Sequence, residues 1–219
     1  EVQVVSTHDQ VLGGPSGQVF LGASFPADAQ VRLYLQQMGR AVGDALAAKG
    51  VIGRFGVDFV TVPRPEGRVE DPPAMYAVEI NLRQGGTTHP FNTLKFITDG
   101  RYEDDSGLFY TAHNQARTDF ATDYLSAPEY RGVLPFDLID LLVVNGIHFK
   151  SNETGVVFHL LGCLSEFGRL GCIAVAPTVP EAKVLYGEVV RLLDELSGRR
   201  DTKRPPMEAA EVARFIRMG

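Results

Sequence analysis

EINLRQGGTTHPF, residues 79–91, is the stretch from which the rest of the chain can be read. Side chains on a strand alternate between faces, so Glu79, Asn81 and Arg83 point one way and Ile80 and Leu82 the other. One face carries a carboxylate, a carboxamide oxygen and a guanidinium in a row. The other is expected to anchor the strand in the core. Arg83 sits at the strand's end, before the Gly85-Gly86 turn. On the preceding strand, Asp58 lies between Val57 and Phe59 and faces away from both. If the strands pair with Asp58 near Glu79, two carboxylates and an amide oxygen converge. Hard oxygen ligands of this kind suit Mg²⁺ or Mn²⁺, above all where substrate phosphates complete the shell. An adjacent arginine suits phosphoryl transfer, in which charge spreads over the equatorial oxygens.

Outward from this stretch, RFGVDFVTV (54–62) and MYAVEINL (75–82) flank a polar connection containing Pro63, Pro65, Pro72 and Pro73, which predicts a hairpin with a long loop. Upstream, VQVV (2–5) and QVFLG (18–22) read as short strands about the turn residues Gly13, Gly14, Pro15 and Gly17. No GK[ST] follows those glycines, so they do not form a P-loop. From Asp28 to Lys49 the pattern is helical, with Val31, Leu35, Met38, Val42 and Ala45 on one stripe and Gly50 where a C-terminal cap belongs. Downstream, a short helix is expected over Pro90–Thr98, and mostly loops and short strands over 100–130. Pro135–Val144 reads as a helix, and Gly155–Leu161 and Cys172–Ala176 as strands. A long helix runs from about Val179 to Leu196. Residues 198–206 read as a charged linker and 207–217 as a last exposed helix.

Bulk composition narrows the function classes. A chain of 219 residues with 44% hydrophobic and 22% charged residues is an ordinary globular protein of one domain or two small ones. Lys plus Arg number 21 against 27 Asp plus Glu, for a net charge of −6, which argues against a nucleic-acid partner. No apolar run suggests a membrane span. The 2 cysteines, Cys163 and Cys172, form neither a CxxC pair nor a disulfide framework, so a reducing cytoplasm is the simplest home.

The chemistry-bearing residues also carry a resemblance. An acidic residue on one strand, then Glu-x-Asn-x-Arg on the next, resembles the metal-binding signature of the ATP-grasp superfamily. GVIGRFGVDF (50–59) followed by EINLRQGGTTHPF (79–91) is similar, more narrowly, to the peptide ligases of the pheganomycin type. STHDQVLGGPSGQVFLGASFP (6–26), TGVVFHLL (154–161) and GRLG (168–171) resemble the same group, so the likeness spans most of the chain. It implies an α+β fold. Residues 1–132 would be the C-terminal, metal-binding subdomain of an ATP-grasp fold, 133–197 a small α/β extension, and 198–219 a linker and terminal helix. It implies that Asp58 holds one Mg²⁺ (or Mn²⁺), that Glu79 bridges two ions and that Asn81 completes the second. Arg83 would bind the transferring phosphoryl group or the acyl phosphate. The activity implied is an ADP-forming, ATP-dependent ligase acting on small-molecule carboxylate and amine substrates. The family's phosphate-binding lysines precede its metal strands, whereas only Lys49 does so here. The front half of the fold is therefore expected to be missing, which leaves open whether the chain alone binds ATP.

Plainer readings stand beside these. Asp58, Glu79, Asn81 and Arg83 could form only a polar surface patch with a cross-strand ion pair. The GGTTH turn (85–89) is either plain loop or an anion-binding nest for phosphate or substrate carboxylate, with Thr87 and Thr88 ahead of His89. His8 and Asp9 face opposite ways on a strand, which favours structural support over a dyad. His148 and His159 lack ligand spacing and read as satisfied core or rim histidines; the cysteines read as small buried hydrophobes. Tyr102, Asp104, Asp105, Tyr110, Asp119, Asp123 and Tyr124 either line a pocket for an amine or belong to a solvated loop. The rival functions are a nucleotide- or ligand-binding module without catalysis and a metal-dependent phosphohydrolase.

Overall fold

Residues Ala116–Ser126 form a strand of 11 residues at the centre of the molecule, so the expectation of loops and short strands over 100–130 fails in its second half. The sequence there, ARTDFATDYLS, is polar enough to resemble loop, but Thr118, Asp119 and Thr122 are buried. The two threonine hydroxyls donate to main-chain oxygens of the flanking strands, at Ala176 and Leu21. Such bonds replace the ones to water that polar side chains lose inside a sheet.

The computed structural model describes residues 1–62 and 73–198. In chain order the strands are β1 (Asp9–Gly13), β2 (Val19–Phe25), β3 (Gly56–Val62), β4 (Ala74–Asn81), β5 (Arg101–Glu103), β6 (Leu108–Tyr110), β7 (Ala116–Ser126), β8 (Gly155–His159) and β9 (Arg169–Ala176). The helices are α1 (Arg32–Ala47), α2 (Thr88–Thr98), α3 (Pro135–Val144), α4 (Leu164–Phe167) and α5 (Val179–Leu196). The class is α+β with antiparallel sheets. β7 lies between β2 and β9, β1 and β8 continue the sheet outward, and β6 and β5 extend it from the start of β7. β3 and β4 form a separate two-stranded sheet.

Both faces of the large sheet are covered. On one, Phe120, Cys172 and Ala174 pack against Leu138 and Leu142 of α3 and Ala182, Tyr186, Val189 and Leu193 of α5. On the other, Phe25, Ala121, Ile173 and Val175 pack against Phe91 and Leu94 of α2 and Phe109 of β6. Burial on both sides explains why β9 is a nearly unbroken apolar run. Sheet and core run across residue 132, since β7 pairs with β9 from Thr118↔Ala176 to Ser126↔Arg169.

Several local expectations hold: the β3–β4 hairpin, α3 and α5 form as read, with Thr178 capping α5 through the Glu181 N–H. Others are displaced. Residues 2–5 form no strand, and the first strand begins at Asp9. On α1, Gln36 and Gly43 are the buried residues, whereas Ala45 of the expected stripe is exposed. Polar bonds help hold that helix: Gln36 donates to the Asp104 carbonyl and Arg32 to that of Ser106. The expected proline-rich connection lies largely in 63–72, and the linker and last helix largely in 199–219, outside the described residues.

Asp119 is fully buried in β7, and one of its carboxylate oxygens has no partner. Burial pushes its pKa up to about 8. The folded state therefore holds a proton that the unfolded chain releases above about pH 4, so stability falls as pH rises from there towards 8. Asp119→Asn should remove this drift. Urea unfolding of both proteins at stepped pH should show the variant gaining on the wild type by on the order of 2–5 kcal/mol across that window. A constant difference would contradict the buried, protonated carboxyl.

Candidate functional site

The hairpin sets the geometry of the site. β3 and β4 pair antiparallel with Asp58 opposite Glu79 and Gly56 opposite Asn81. Side chains of directly opposed residues lie about 5 Å apart at Cβ, so the two carboxylates meet on one face. Asn81 Nδ2 donates to Asp58 Oδ2 at 3.3 Å, and Gln10 Nε2, from β1, donates to Asp58 Oδ1 at 3.0 Å. The Asp58 carboxyl is held above its ordinary pKa, first because it is partly withdrawn from water and next because Glu79 stands beside it; Arg83 pulls the other way. The convergence expected from the sequence thus forms: Asp58, Glu79 and Asn81 come together with Arg83 close enough to be felt. Gln10 is an addition that no local pattern could give, because only the fold brings β1 to this hairpin.

The opposite expectation for Ile80 and Leu82 fails. They are 45% and 58% exposed, and Tyr76 and Val78 are more than half exposed as well. Within β4 only Met75 is buried. The hairpin therefore stands off the main sheet, tied to it at Asp58 by Gln10.

After Arg83 the chain turns through Gly85-Gly86 into α2. The Gly85 N–H donates to Thr88 Oγ1 at 3.1 Å, and the Thr88 N–H to the Gly85 carbonyl at 3.0 Å. Thr87 occupies the N-cap position without a side-chain capping bond. Thr87 and Thr88 thus lie at the positive end of the α2 dipole, where anions are favoured. His89 follows in the first turn, its ring edge-on to that of His159 with centroids 4.5 Å apart.

Those two histidines face a cleft of about 380 Å³ whose walls include Gly85 and Gly86, Phe20 and Ala23 of β2, and Ala121 and Asp123 of β7. His159 is not the satisfied core or rim histidine expected. Its Nδ1 has no partner, and burial, then the neighbouring His89, lower its pKa to about 4. The ring lies over Gly171, its register partner on β9, where a Cβ would come within 2.0 Å of Nε2. His148 Nδ1 is likewise unpartnered. Asp9 does serve as a support, its Oδ2 accepting the Asp28 N–H at 2.8 Å, whereas both ring nitrogens of His8 are shielded from water without a partner, which lowers its pKa to about 3. Cys172 is buried as expected, whereas Cys163 is only half-buried. Of the acidic and tyrosine residues of 100–130, Tyr102 donates to Gln36 and Asp104 pairs with Arg40, whereas Asp123 reaches the cleft. Among the described residues no three His, Cys, Asp or Glu side chains cluster to hold a metal. A cation at Asp58, Glu79 and Asn81 would thus rest on two carboxylates and one amide oxygen, a donor set that suits Mg²⁺ when phosphates supply further oxygens. No described helix is long and apolar enough to cross a membrane.

Residues 137–189, from α3 into α5, match the PGM1 C-terminal domain family. Over 194 residues the chain is 33% identical to the L-propargylglycine--L-glutamate ligase of Streptantibioticus cattleyicolor, an alignment that covers 88% of this chain and 37% of that ligase. The likeness to the pheganomycin-type ligase group therefore extends along most of the chain, which spans little more than a third of its relative. No solved structure matches.

Because burial, and then Glu79, hold the Asp58 pKa up, its charged form opposes folding once pH exceeds the ordinary carboxylate range. Asp58→Asn should therefore raise the urea midpoint at neutral pH, and the gain should shrink as pH falls towards 4. A variant less stable than wild type at neutral pH in the absence of divalent ions would contradict the like-charge pairing.

Proposed function

We propose that this chain carries the metal- and phosphate-binding part of an ATP-dependent, ADP-forming ligase that joins a carboxylate to an amine. The observation that carries the reading is the register of Asp58 opposite Glu79, with Asn81 and Arg83 following on the same strand and its end. Residues 1–132 would be the metal-bearing subdomain of an ATP-grasp fold, and 133–197 the extension within which the family match falls. The relative's name gives two amino acids as what it joins, which supports amino-acid-like substrates here.

In this reading Asp58, Glu79 and Asn81 hold Mg²⁺ (or Mn²⁺), which supplies charge neutralisation on the phosphate oxygens. A substrate carboxylate oxygen attacks the γ-phosphorus, the bond to the β-phosphate oxygen breaks and ADP leaves with that electron pair. The amine nitrogen then attacks the acyl carbon, the C–O bond to phosphate breaks, and the nitrogen loses a proton to give an amide. Arg83, at the strand's end, offers its guanidinium to the equatorial oxygens of the transferring group, where stabilisation matters most. Thr87 and Thr88, with the first N–H groups of α2, receive phosphate or substrate carboxylate. Both substrates are small molecules, and the place for ATP-driven synthesis of this kind is the cytoplasm.

One observation favours a second reading: Lys49 is the only lysine of the given sequence ahead of the hairpin. A ligand-binding module without catalysis fits that. It would bind ATP without forming ADP.

The test is Mg²⁺-dependent ADP release, stimulated by amino acids, from the complete polypeptide that the reading frame encodes. Glu79→Ala should lower it by about 100-fold or more, because Asp58 alone of the two carboxylates would remain to hold the cation. Undiminished ADP release in that variant would overturn the assignment.

A further inference from the structure

The cleft behind the Gly85-Gly86 turn is lined by other chemistry than the hairpin cluster beside it. Among the described residues that line it there is no lysine or arginine, and Asp123 brings its one formal charge. Asp123 acts electrostatically on the His159 ring, and His89 stands 4.5 Å from that ring. The remaining wall is apolar, chiefly Phe20, Pro90 and Leu160. At about 380 Å³ the cleft lies near the small end of ligand pockets, the size of one amino acid with some water.

Two links set the cleft against the phosphate side of the site. Gly85, on its rim, is two residues from Arg83, a reach of at most about 7 Å along the backbone. Gln10, bonded to Asp58, is the register partner of Ala23 in the cleft wall. A ligase must bring an activated, electron-poor acyl group, carried with its phosphate, up to an amine nucleophile. The hairpin end offers Arg83 and a cation's place to the first. The cleft offers one carboxylate and two imidazoles to the second.

We propose that this cleft is the amine site: it receives the ammonium of an amino-acid-sized primary amine at the Asp123 carboxylate and the imidazoles of His89 and His159, with the amine's apolar body against Phe20, Pro90 and Leu160. The proposal deepens the ligase reading and rests on it for the word substrate alone, because binding is read without ATP. Gly171 positions the site by leaving room for the His159 ring. The lowered pKa of His159 leaves that ring uncharged at neutral pH, so it does not repel an incoming cation.

The experiment follows the imidazole NMR signals of the chain, whose histidines number 5, on titration with L-alaninamide, acetate and N-acetyl-L-alaninamide. L-Alaninamide should shift the His89 and His159 signals saturably and leave those of His8, His113 and His148 in place; acetate and the neutral amide should shift none. Asp123→Asn should weaken L-alaninamide binding by roughly tenfold or more, the size of a lost charged hydrogen bond. The undisturbed His8 signal then reports an intact fold. Equal response to acetate, undiminished binding by Asp123→Asn, or no saturable shift overturns the proposal. Amide synthesis by the complete enzyme with a silent cleft would remove the amine site and leave the ligase reading intact. Saturable ammonium binding without any ADP release would do the reverse.

Discussion

Two carboxylates held face to face across a hairpin are an awkward arrangement, and much of the site is organised about it. Asp58 and Glu79 sit in register, where like charges oppose pairing. Two carboxamides relieve part of that repulsion by donating to Asp58, one from the same hairpin and one, Gln10, from the main sheet. The contact with Gln10 is also what ties the hairpin to the rest of the molecule at this point. A divalent cation would reverse the sign of the problem, turning mutual repulsion into shared attraction. A structural ion pair would have placed a lysine or arginine opposite Glu79; Asp58 is there instead.

The large sheet gives this arrangement a fixed base. β7 is covered on both faces, with α2 on one side and α3 and α5 on the other. Phe91 and Leu94 seat α2 on the sheet, and that seating fixes the Gly85-Gly86 turn and the start of the helix relative to β2 and β7. The glycines matter where the walls are closest. A Cβ on Gly22 would meet the Ala121 carbonyl oxygen at 2.2 Å, and one on Gly86 would meet the Phe20 ring at 2.7 Å. The hairpin cluster and the cleft are thus neighbouring parts of one edge, the first with two carboxylates and a guanidinium, the second with one carboxylate and two imidazoles.

Whatever depends on local periodicity could be read from the sequence. The hairpin, α3 and α5 carry strong alternation or helical stripes, and alternation puts Asp58 and Glu79 on faces that can meet, while the register that opposes them belongs to the fold. β7 is hidden because its threonines and aspartates look like loop residues, and only the fold shows Thr118 and Thr122 bonding the carbonyls of β9 and β2. The exposure of Ile80 and Leu82 could not be read either. Alternation assigns faces but does not say whether another layer covers them. His159 and Asp123 lie far apart in sequence and far from His89, and only the sheet brings the three together. The resemblance to pheganomycin-type ligases pointed to the hairpin residues, not to this cleft.

The central claim is that Asp58 and Glu79 form a divalent-cation site for a nucleotide's phosphates. The most direct measurement is Mn²⁺ binding by electron paramagnetic resonance, with and without ATP, on the wild-type chain, Asp58→Asn and Glu79→Gln. The account predicts that the wild-type chain depletes the signal of free Mn²⁺ beyond what the same ATP does without protein, and that either substitution removes that excess. An equal excess from all three proteins, or none from the wild type, would contradict it.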